Sequence, residues 1–375
     1  MALSRWQHAR LMYLWGYRAK DLETFGFTSG RPVSDADRFL GGDWCARHVQ
    51  SLNDDQAKVL TENKWVFYRL ADGFGLPVPR TLGLFDAVHG VSWDGERPLR
   101  TVPEALAEVR RQRSGGLVLK PAGGVQGKGV LILDTIDHET GQAVTRSGER
   151  TTLEQALGSV DLAGARLASG YVLQEPLRNH PALEELAPTT TNTVRVVTLL
   201  LGDGTARVQT TGMRLGRRGG MVDNVNAGGF GVALDAATGV IGPGRLPGSS
   251  EAVTHHPDTG VEFAGRQVPH WAETRELCCR AARLFPGLRS LGWDVVVTPT
   301  GPVLLEANAV WGARGAQSLS DGWLADPVVR AQFQEAGIPL PTGAFTRDVP
   351  ERLLEQARGR LRRIRPGRTR TRRRW

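Results

Sequence analysis

Cysteine is scarce: Cys45 and the adjacent pair Cys278 and Cys279 are the only three in 375 residues. An odd number with two neighbours gives neither an even disulfide framework nor a zinc-ligand spacing. The eight histidines show no ligand pattern. His255-His256 precedes Pro257-Asp258, a turn signal, and is expected at the surface. No apolar run approaches the ~20 residues that a membrane-spanning helix requires. The first stretch carries Arg5, Arg10 and Arg18 and lacks a continuous apolar core, so it does not read as a secretory signal. These absences set the expectation of a reducing, cytoplasmic home.

Lysine is rare too. Of 47 basic residues only Lys20, Lys58, Lys64, Lys120 and Lys128 are Lys. Such arginine dominance suggests a GC-rich coding bias, under which lysines persist mainly where an ammonium matters. Acid is missing from the last stretch: Arg358 to Trp375 holds ten arginines and no Asp or Glu, and removing those ten takes the formal charge from +8 to −2. A run of this kind is commonly a solvated tail. Its functional reading is adhesion to an anionic membrane or polyanion, which would make the protein membrane-associated. With no structured nucleic-acid-binding motif, no sequence-specific nucleic acid is expected. Leu3 to Leu22 mixes Trp6, Tyr13, Trp15 and Tyr17 with basic residues. It reads as an amphipathic helix packed on the core, or else as an interfacial helix acting with the tail.

What is present concentrates in two segments. Gly292-Trp293-Asp294-Val295-Val296-Val297 and Val303-Leu304-Leu305-Glu306-Ala307-Asn308 read as a hairpin joined around Pro299-Thr300-Gly301, where Gly301 supplies the positive φ. A three-residue loop sets Asp294 opposite Glu306, and strand alternation puts Asn308 on the same side. Two carboxylates and an amide oxygen on an apolar ribbon are costly to bury without a cation. Hard oxygen donors suit Mg²⁺, particularly Mg²⁺ that also holds phosphates. The plain alternative is an exposed hairpin that happens to carry acids.

The second segment, Leu117 to Leu133, reads as strand, glycine-rich loop, strand. Lys120 closes the first strand, and Gly123, Gly124, Gly127, Lys128 and Gly129 form a loop whose backbone N–H groups can close over anionic oxygens. Gly127-Lys128 is followed by glycine and by no helix pattern, so the loop is neither a Walker A motif nor a dinucleotide fingerprint. A phosphate cradle and a metal hairpin make a nucleotide site in two halves. Arg195 sits in the apolar strand Val194-Arg195-Val196-Val197, where an unpaired buried guanidinium is costly. It is expected to reach a phosphate or the reaction's developing charge, the alternative being an edge-strand arginine facing water. Met213-Arg214 adds a second candidate contact, and Arg217-Arg218 reads as a solvated loop.

The ordered set Asn63-Lys64, Gly75 to Pro79, Lys120-Pro121 with its loop, Gln174-Glu175-Pro176, Asn192 to Val197, Asp223 to Gly229 and Gly292 to Asn308 resembles the ATP-grasp superfamily. Within it, the likeness is to the sugar-transfer-associated, glutamate-ligase-like proteins. It runs from about Asn53 to Gly312. The resemblance implies an α+β fold, two α+β subdomains with antiparallel sheets clamping the nucleotide, preceded by a helical N-terminal region. The expected divisions are 1–60 (helical), 61–172 (with the glycine flap), 173–345 (with the metal site) and 346–375 (helix and basic tail).

It also implies roles. Lys64 and Lys120 hold ATP phosphates, the glycine loop covers them, and Gln174 and Glu175 hold adenine. Asn226, beside Gly228-Gly229, lies near the γ-phosphate, with Arg195 and Arg214 as catalytic groups. Asp294, Glu306 and Asn308 bind one or two Mg²⁺ ions, for which Mn²⁺ could substitute. The implied activity is an ATP- and Mg-dependent carboxylate–amine ligase acting through an acyl phosphate on small carboxylate and amine substrates, sugar-linked ones among them, in surface polysaccharide or glycoconjugate biosynthesis. Two alternatives stay open: a kinase acting on a small hydroxyl substrate, and a non-catalytic nucleotide-binding module.

Overall fold

The structure is a computed structural model. It describes residues 3–123, 129–160, 170–217, 228–246 and 251–341. Gly124, Gly127, Lys128, Asn226, Arg218 and the arginine tail lie outside the described residues.

Two antiparallel sheets of seven strands carry the fold. The first comprises β1 (Thr81–Phe85), β2 (Val91–Ser92), β3 (Leu117–Pro121), β4 (Leu131–Ile136), β5 (Gln142–Thr145), β6 (Arg150–Thr152) and β7 (Tyr171–Gln174). Its spatial order is β2-β1-β7-β3-β4-β5-β6. The second comprises β8 (Thr193–Leu200), β9 (Ala206–Leu215), β10 (Phe230–Leu234), β11 (Ile241–Arg245), β12 (Ala252–Val253), β13 (Ser290–Thr298) and β14 (Gly301–Asn308), in the order β12-β11-β10-β9-β8-β13-β14.

Helices follow from periodic apolar positions and clear caps. Before the first sheet come α1 (Arg5–Leu14), α2 (Ala19–Thr24), α3 (Gly42–His48), α4 (Val59–Glu62) and α5 (Lys64–Gly73). In the middle lie α6 (Val102–Gln112), α7 (Leu153–Gly158) and α8 (Pro181–Glu184), and later α9 (Trp271–Ala282), α10 (Ala313–Ser318) and α11 (Pro327–Glu335). Helix α6 shows the logic. Thr101 and Glu104 form a reciprocal capping box, Pro103 sits in the first turn where its missing N–H is harmless, and Ala105 and Val109 turn inward. With α7 they cover the first sheet through Leu117, Leu119, Leu133, Leu153 and Leu173. Truncating one such leucine to Ala costs about 2–5 kcal/mol.

The second sheet is covered on both faces. On one, α5 and α9 pack Phe67, Leu277 and Phe285 against Trp293, Val295 and Val297. On the other, Val197, Leu199 and Leu201 meet Trp44, Trp311, Trp323 and Phe333. That second cover ties the N-terminal helices down. Asp21 is fully buried and takes bonds from Arg314 Nε (2.6 Å), Gly42 N (3.1 Å) and Arg18 N (2.8 Å). Gln317 exchanges two bonds with the Leu40 backbone.

The structure departs from sequence expectation in particular places. The β13–β14 turn has two residues, since Thr298 pairs with Gly301, whose φ is +131°. A bulge between Asp294 and Val295 then makes up the residue, so Asp294 still faces Glu306. His256 is buried, not at the surface, and its Nε2 lies 2.9 Å from the Gly216 carbonyl. Arg217 is no solvated loop residue either: it makes a two-pronged pair with Asp258 at 2.7 and 2.8 Å. Both corrections share a cause. A local turn signal is outvoted when the turn packs on a neighbouring strand that supplies partners. Between α2 and α3 the chain forms 3₁₀ turns at Phe27–Ser29 and Val33–Arg38.

Candidate functional site

The site starts from the register of β13. Asp294 pairs with Glu306 on β14 to one side and with Arg195 on β8 to the other. Directly opposed residues share a face, so the carboxylates and the guanidinium stand together. Arg214, two residues beyond Gly212 on β9, joins them, because Gly212 is the partner of Arg195. Arg195 Nη2 donates to Asp294 Oδ2 at 3.1 Å. Its Nε lies 2.6 Å from Oδ1, and Arg214 Nη2 also closes on Oδ1. Burial alone would raise the Asp294 carboxyl, but the two guanidiniums outweigh it and hold it below the usual range. Burial draws Arg195 down, with Asp294 opposing. Asn308 Nδ2 reaches Gly292 O (3.3 Å) and Asp294 Oδ2 (3.5 Å).

The other half comes from α5 and β3. Asn63 caps α5, its Oδ1 accepting from Trp65 N (3.0 Å) and Val66 N (3.2 Å). Lys64 therefore opens the helix, where a cation is disfavoured by the helix dipole. It is buried nonetheless, with Nζ 3.5 Å from Glu306 Oε1 and its backbone N–H donating to Ala122 O at 2.7 Å. Lys120 ends β3 and is also buried. Its ammonium contacts the Tyr68 hydroxyl, which donates to the Leu305 carbonyl on β14. Burial, helped by the Lys64 charge and opposed by Glu306, lowers Lys120 to about 7. One helix thus bridges the two sheets at the hairpin.

The remaining expected residues are placed as follows. Gly123 and Gly129 flank the loop, and Gly129 takes φ +73°. Gln174 is buried in β7, its Nε2 donating to Thr81 Oγ1 at 2.8 Å. Glu175 follows it, ion-paired to Arg80 and away from the carboxylates. Among the described residues, Lys64, Lys120, Arg195, Arg214, Asp294, Glu306 and Asn308 come together, and Glu175 stands apart.

No group of three or more His, Cys, Asp or Glu side chains fit to hold a metal occurs among the described residues. The hairpin offers a different donor set, two carboxylates and an amide oxygen. Asp294 Oδ1 is buried and pressed by both guanidiniums, yet takes a well-aligned hydrogen bond from neither. The buried Asp294 carboxylate, ion-paired to Arg195 and Arg214, stands beside Glu306 and Asn308, hard oxygen donors of the kind that suit Mg²⁺.

Two contributors were not singled out from the sequence for these roles. Tyr68 stands four residues after Lys64, on the same helix face, a spacing that could have flagged it. Asn53 gives no local signal. Its Nδ2 donates to Ser290 O (2.8 Å) and Ala309 O (3.0 Å), and its Oδ1 accepts from Arg289 N and Ser290 N, both at 2.8 Å. It staples the start of β13 to the end of β14. A recess of about 440 Å³ at the start of α9, lined by Thr238, His270, Trp271 and Arg275, shares no residue with the hairpin site.

Comparison with known proteins identifies a family. Residues 44–324 match the family model described as sugar-transfer associated ATP-grasp. No curated protein matches the chain. Among solved structures, the D-alanine-D-alanine ligase of Coxiella burnetii has 10% identity and a TM-score of 0.43, covering 84% of this chain and 64% of its own. The biotin carboxylase of Campylobacter jejuni, solved with a β-γ-ATP complex, has 12% identity and a TM-score of 0.46, covering 80% and 52%. Phosphoribosylamine–glycine ligase from Thermotoga maritima has 16% identity and a TM-score of 0.44, covering 77% and 57%. This chain spans less than two thirds of each, and what those proteins act on remains theirs.

Proposed function

Starting from the match over residues 44–324, by which the chain belongs to the sugar-transfer-associated ATP-grasp family, we propose that it is an ATP-dependent ligase joining a carboxylate to an amine. The observation that carries this reading is the meeting of Lys64, Lys120, Arg195 and Arg214 with Asp294 and Glu306 at one hairpin. Four cationic groups face two carboxylates, an excess that suits a polyanion such as a triphosphate.

Lys64 and Lys120 approach from the α5–β3 side and would bind phosphate oxygens as compact charges. Asp294, Glu306 and Asn308 would hold Mg²⁺, with one or two ions and Mn²⁺ as a substitute. Bound there, the metal neutralises phosphate charge and orients the reacting oxygens. With Asp294 so engaged, the donors of Arg195 and Arg214 become available to anionic oxygens and would stabilise charge developing at the γ-phosphoryl group. Gly123 to Gly129 would cover the phosphates, Gln174 and Glu175 would border the base, and Asn226 would stand near the γ-phosphate. The substrate carboxylate attacks phosphorus, ADP leaves, and an amine displaces phosphate from the acyl phosphate to give the amide. The side chains here position and stabilise rather than attack, since no Ser–His or Cys–His pair is needed. The family's description favours a sugar-linked substrate and a place in glycoconjugate or polysaccharide assembly. No described helix is long and apolar enough to cross a membrane, and contact with an anionic surface is assigned to the arginine tail.

The test is ATP consumption with Mg²⁺ across pools of amino acids, uronic acids and amino sugars, with products weighed by mass spectrometry. A product lighter by one water than its two substrates together, with ADP and phosphate released, establishes the ligase. A product heavier by one phosphoryl group overturns it in favour of a kinase.

A further inference from the structure

The face of the second sheet that carries Asp294 continues away from the hairpin, and it is not bare. Arg214 on β9 and Arg245 on β11 both pair with Gly231 on β10. Residues paired across antiparallel strands share a face, so Arg245 stands on the side of Arg195, Arg214 and Asp294. Two strand spacings separate the Arg214 and Arg245 backbones, about 10 Å. Gly231 puts no side chain between them. Leu319, from the segment after α10, fills that gap instead: a Cβ built at Gly231 or Gly212 would meet its side chain at 3.0 or 3.1 Å. The result is an apolar pad with a guanidinium at each end.

The two ends differ. Arg214 is committed to Asp294 and donates to Thr193 Oγ1 at 3.2 Å. The Arg245 side chain is half-buried and makes no hydrogen bond to any described residue, while burial draws its guanidinium down and the Arg31 charge draws it further. Among the described residues the acid that acts on it is Asp321, 79% exposed. Arg31 is fixed by other partners: its Nε donates to Phe25 O at 2.6 Å, it lies over Phe39, and its Nη1 is 3.7 Å from both Asp35 and Asp321. The two guanidiniums there share Asp35 and Asp321 among the described residues, and both acids lie within ion-pair distance of Arg31 rather than of Arg245. A half-buried guanidinium whose donors meet no described acceptor can take one from a ligand, and its planar fork matches a carboxylate or phosphate in two-pronged fashion.

We propose that Arg245, with Arg31 behind it, forms an anion subsite for the distal acid group of the acceptor substrate. This rests on the ligase reading above. The acceptor is then bifunctional: one carboxylate is activated at the Asp294 end, a compact body lies over Leu319, and a second carboxylate or a phosphate is held at Arg245. A simple monocarboxylic acid leaves the subsite empty.

Two measurements on the full chain test it. Steady-state ADP release is compared between monocarboxylates and the same skeletons bearing a second terminal carboxylate or a terminal phosphate. Bifunctional acceptors are expected to show KM values at least tenfold lower. Arg245→Ala should erase that advantage, Arg245→Lys should restore part of it, and the exposed control Arg110→Ala should leave it intact. Whichever series gains names the distal group. Separately, calorimetry with glutarate, glucose 6-phosphate and acetate reads binding without turnover. The first or second should bind at least tenfold tighter than acetate, and Arg245→Ala should abolish the difference. If no acid supports ADP release, the ligase reading fails while calorimetry still decides the subsite. Equal binding of all three probes overturns it, as does an advantage that survives in Arg245→Ala or Arg245→Gln with unchanged melting.

Discussion

Asn53 gives the sharpest mechanical prediction, because one buried amide holds both strands of the proposed metal hairpin. Four hydrogen bonds join it to Arg289 N, Ser290 N, Ser290 O and Ala309 O, and Ala309 directly follows Asn308. At roughly 1 kcal/mol net for each bond, Asn53→Ala removes about 4 kcal/mol. Water entering the vacated space would return part of that, so a loss of about 3 kcal/mol is expected. With about 2.1 cal/mol/K of unfolding entropy per residue, each kcal/mol moves the melting temperature of a 375-residue chain by about 1.3 °C, which puts the shift at about 4 °C. Asn53→Asp separates donor from acceptor. It keeps an oxygen for the two N–H groups but turns the other oxygen against two carbonyls, so it should be no better than Ala. Because the staple sits next to Asn308, both variants should raise the Mg²⁺ concentration needed for half-maximal ADP release at least fivefold. The assays are urea denaturation and a Mg²⁺ titration at saturating ATP. A loss under 1 kcal/mol, or an Asp variant as stable as the parent, would refute the reasoning.

Other outcomes follow from the same geometry. Asp294→Ala leaves Arg195 and Arg214 buried together, and urea denaturation should show a loss of about 3–5 kcal/mol. Glu306→Gln, at a side chain 30% exposed, should melt within a few degrees of the parent yet lose at least 99% of ADP release; retained turnover would remove Glu306 from the metal set. Lys120 is a cation depressed from 10.5 to about 7. Its folded form therefore resists protonation, and the nucleotide-free chain should gain stability as pH rises from about 7 to about 10, with no such gain below 7. Phosphate binding restores its charge, so calorimetry at pH 8 in two buffers of different ionisation heat should show proton uptake with ATP, and none in Lys120→Met. Deleting Arg358 to Trp375 should spare ATP turnover and abolish retention on anionic vesicles at low salt; full retention by the shortened chain would dismiss the tail's role.

Much of the fold was legible because its signals are local. The apolar arms of β13 and β14, the Thr101–Glu104 cap of α6 and the Asn63 cap before Lys64 are each written within a few residues. The facing of Asp294 and Glu306 was legible as well, although by a different path: a two-residue turn and a bulge take the place of a three-residue loop, and both restore the same pairing. Alternation tells which face a side chain takes, and it survives when turn and bulge compensate. What the sequence could not show is who answers a charge from afar. Arg195 was legible as a guanidinium needing a partner, but that the partner is Asp294, 99 residues away, depends on β8 lying beside β13. The same holds for Asn53, which bonds residues more than 230 positions away, and for Arg245, whose meaning comes from a glycine on the strand between it and Arg214. The site is therefore written in two layers. Local pattern supplies the chemical groups, and strand order decides which charges meet. In this chain the order places two guanidiniums on the carboxylate assigned to the metal and a third beyond reach of any described acceptor, an asymmetry that the substrate must answer.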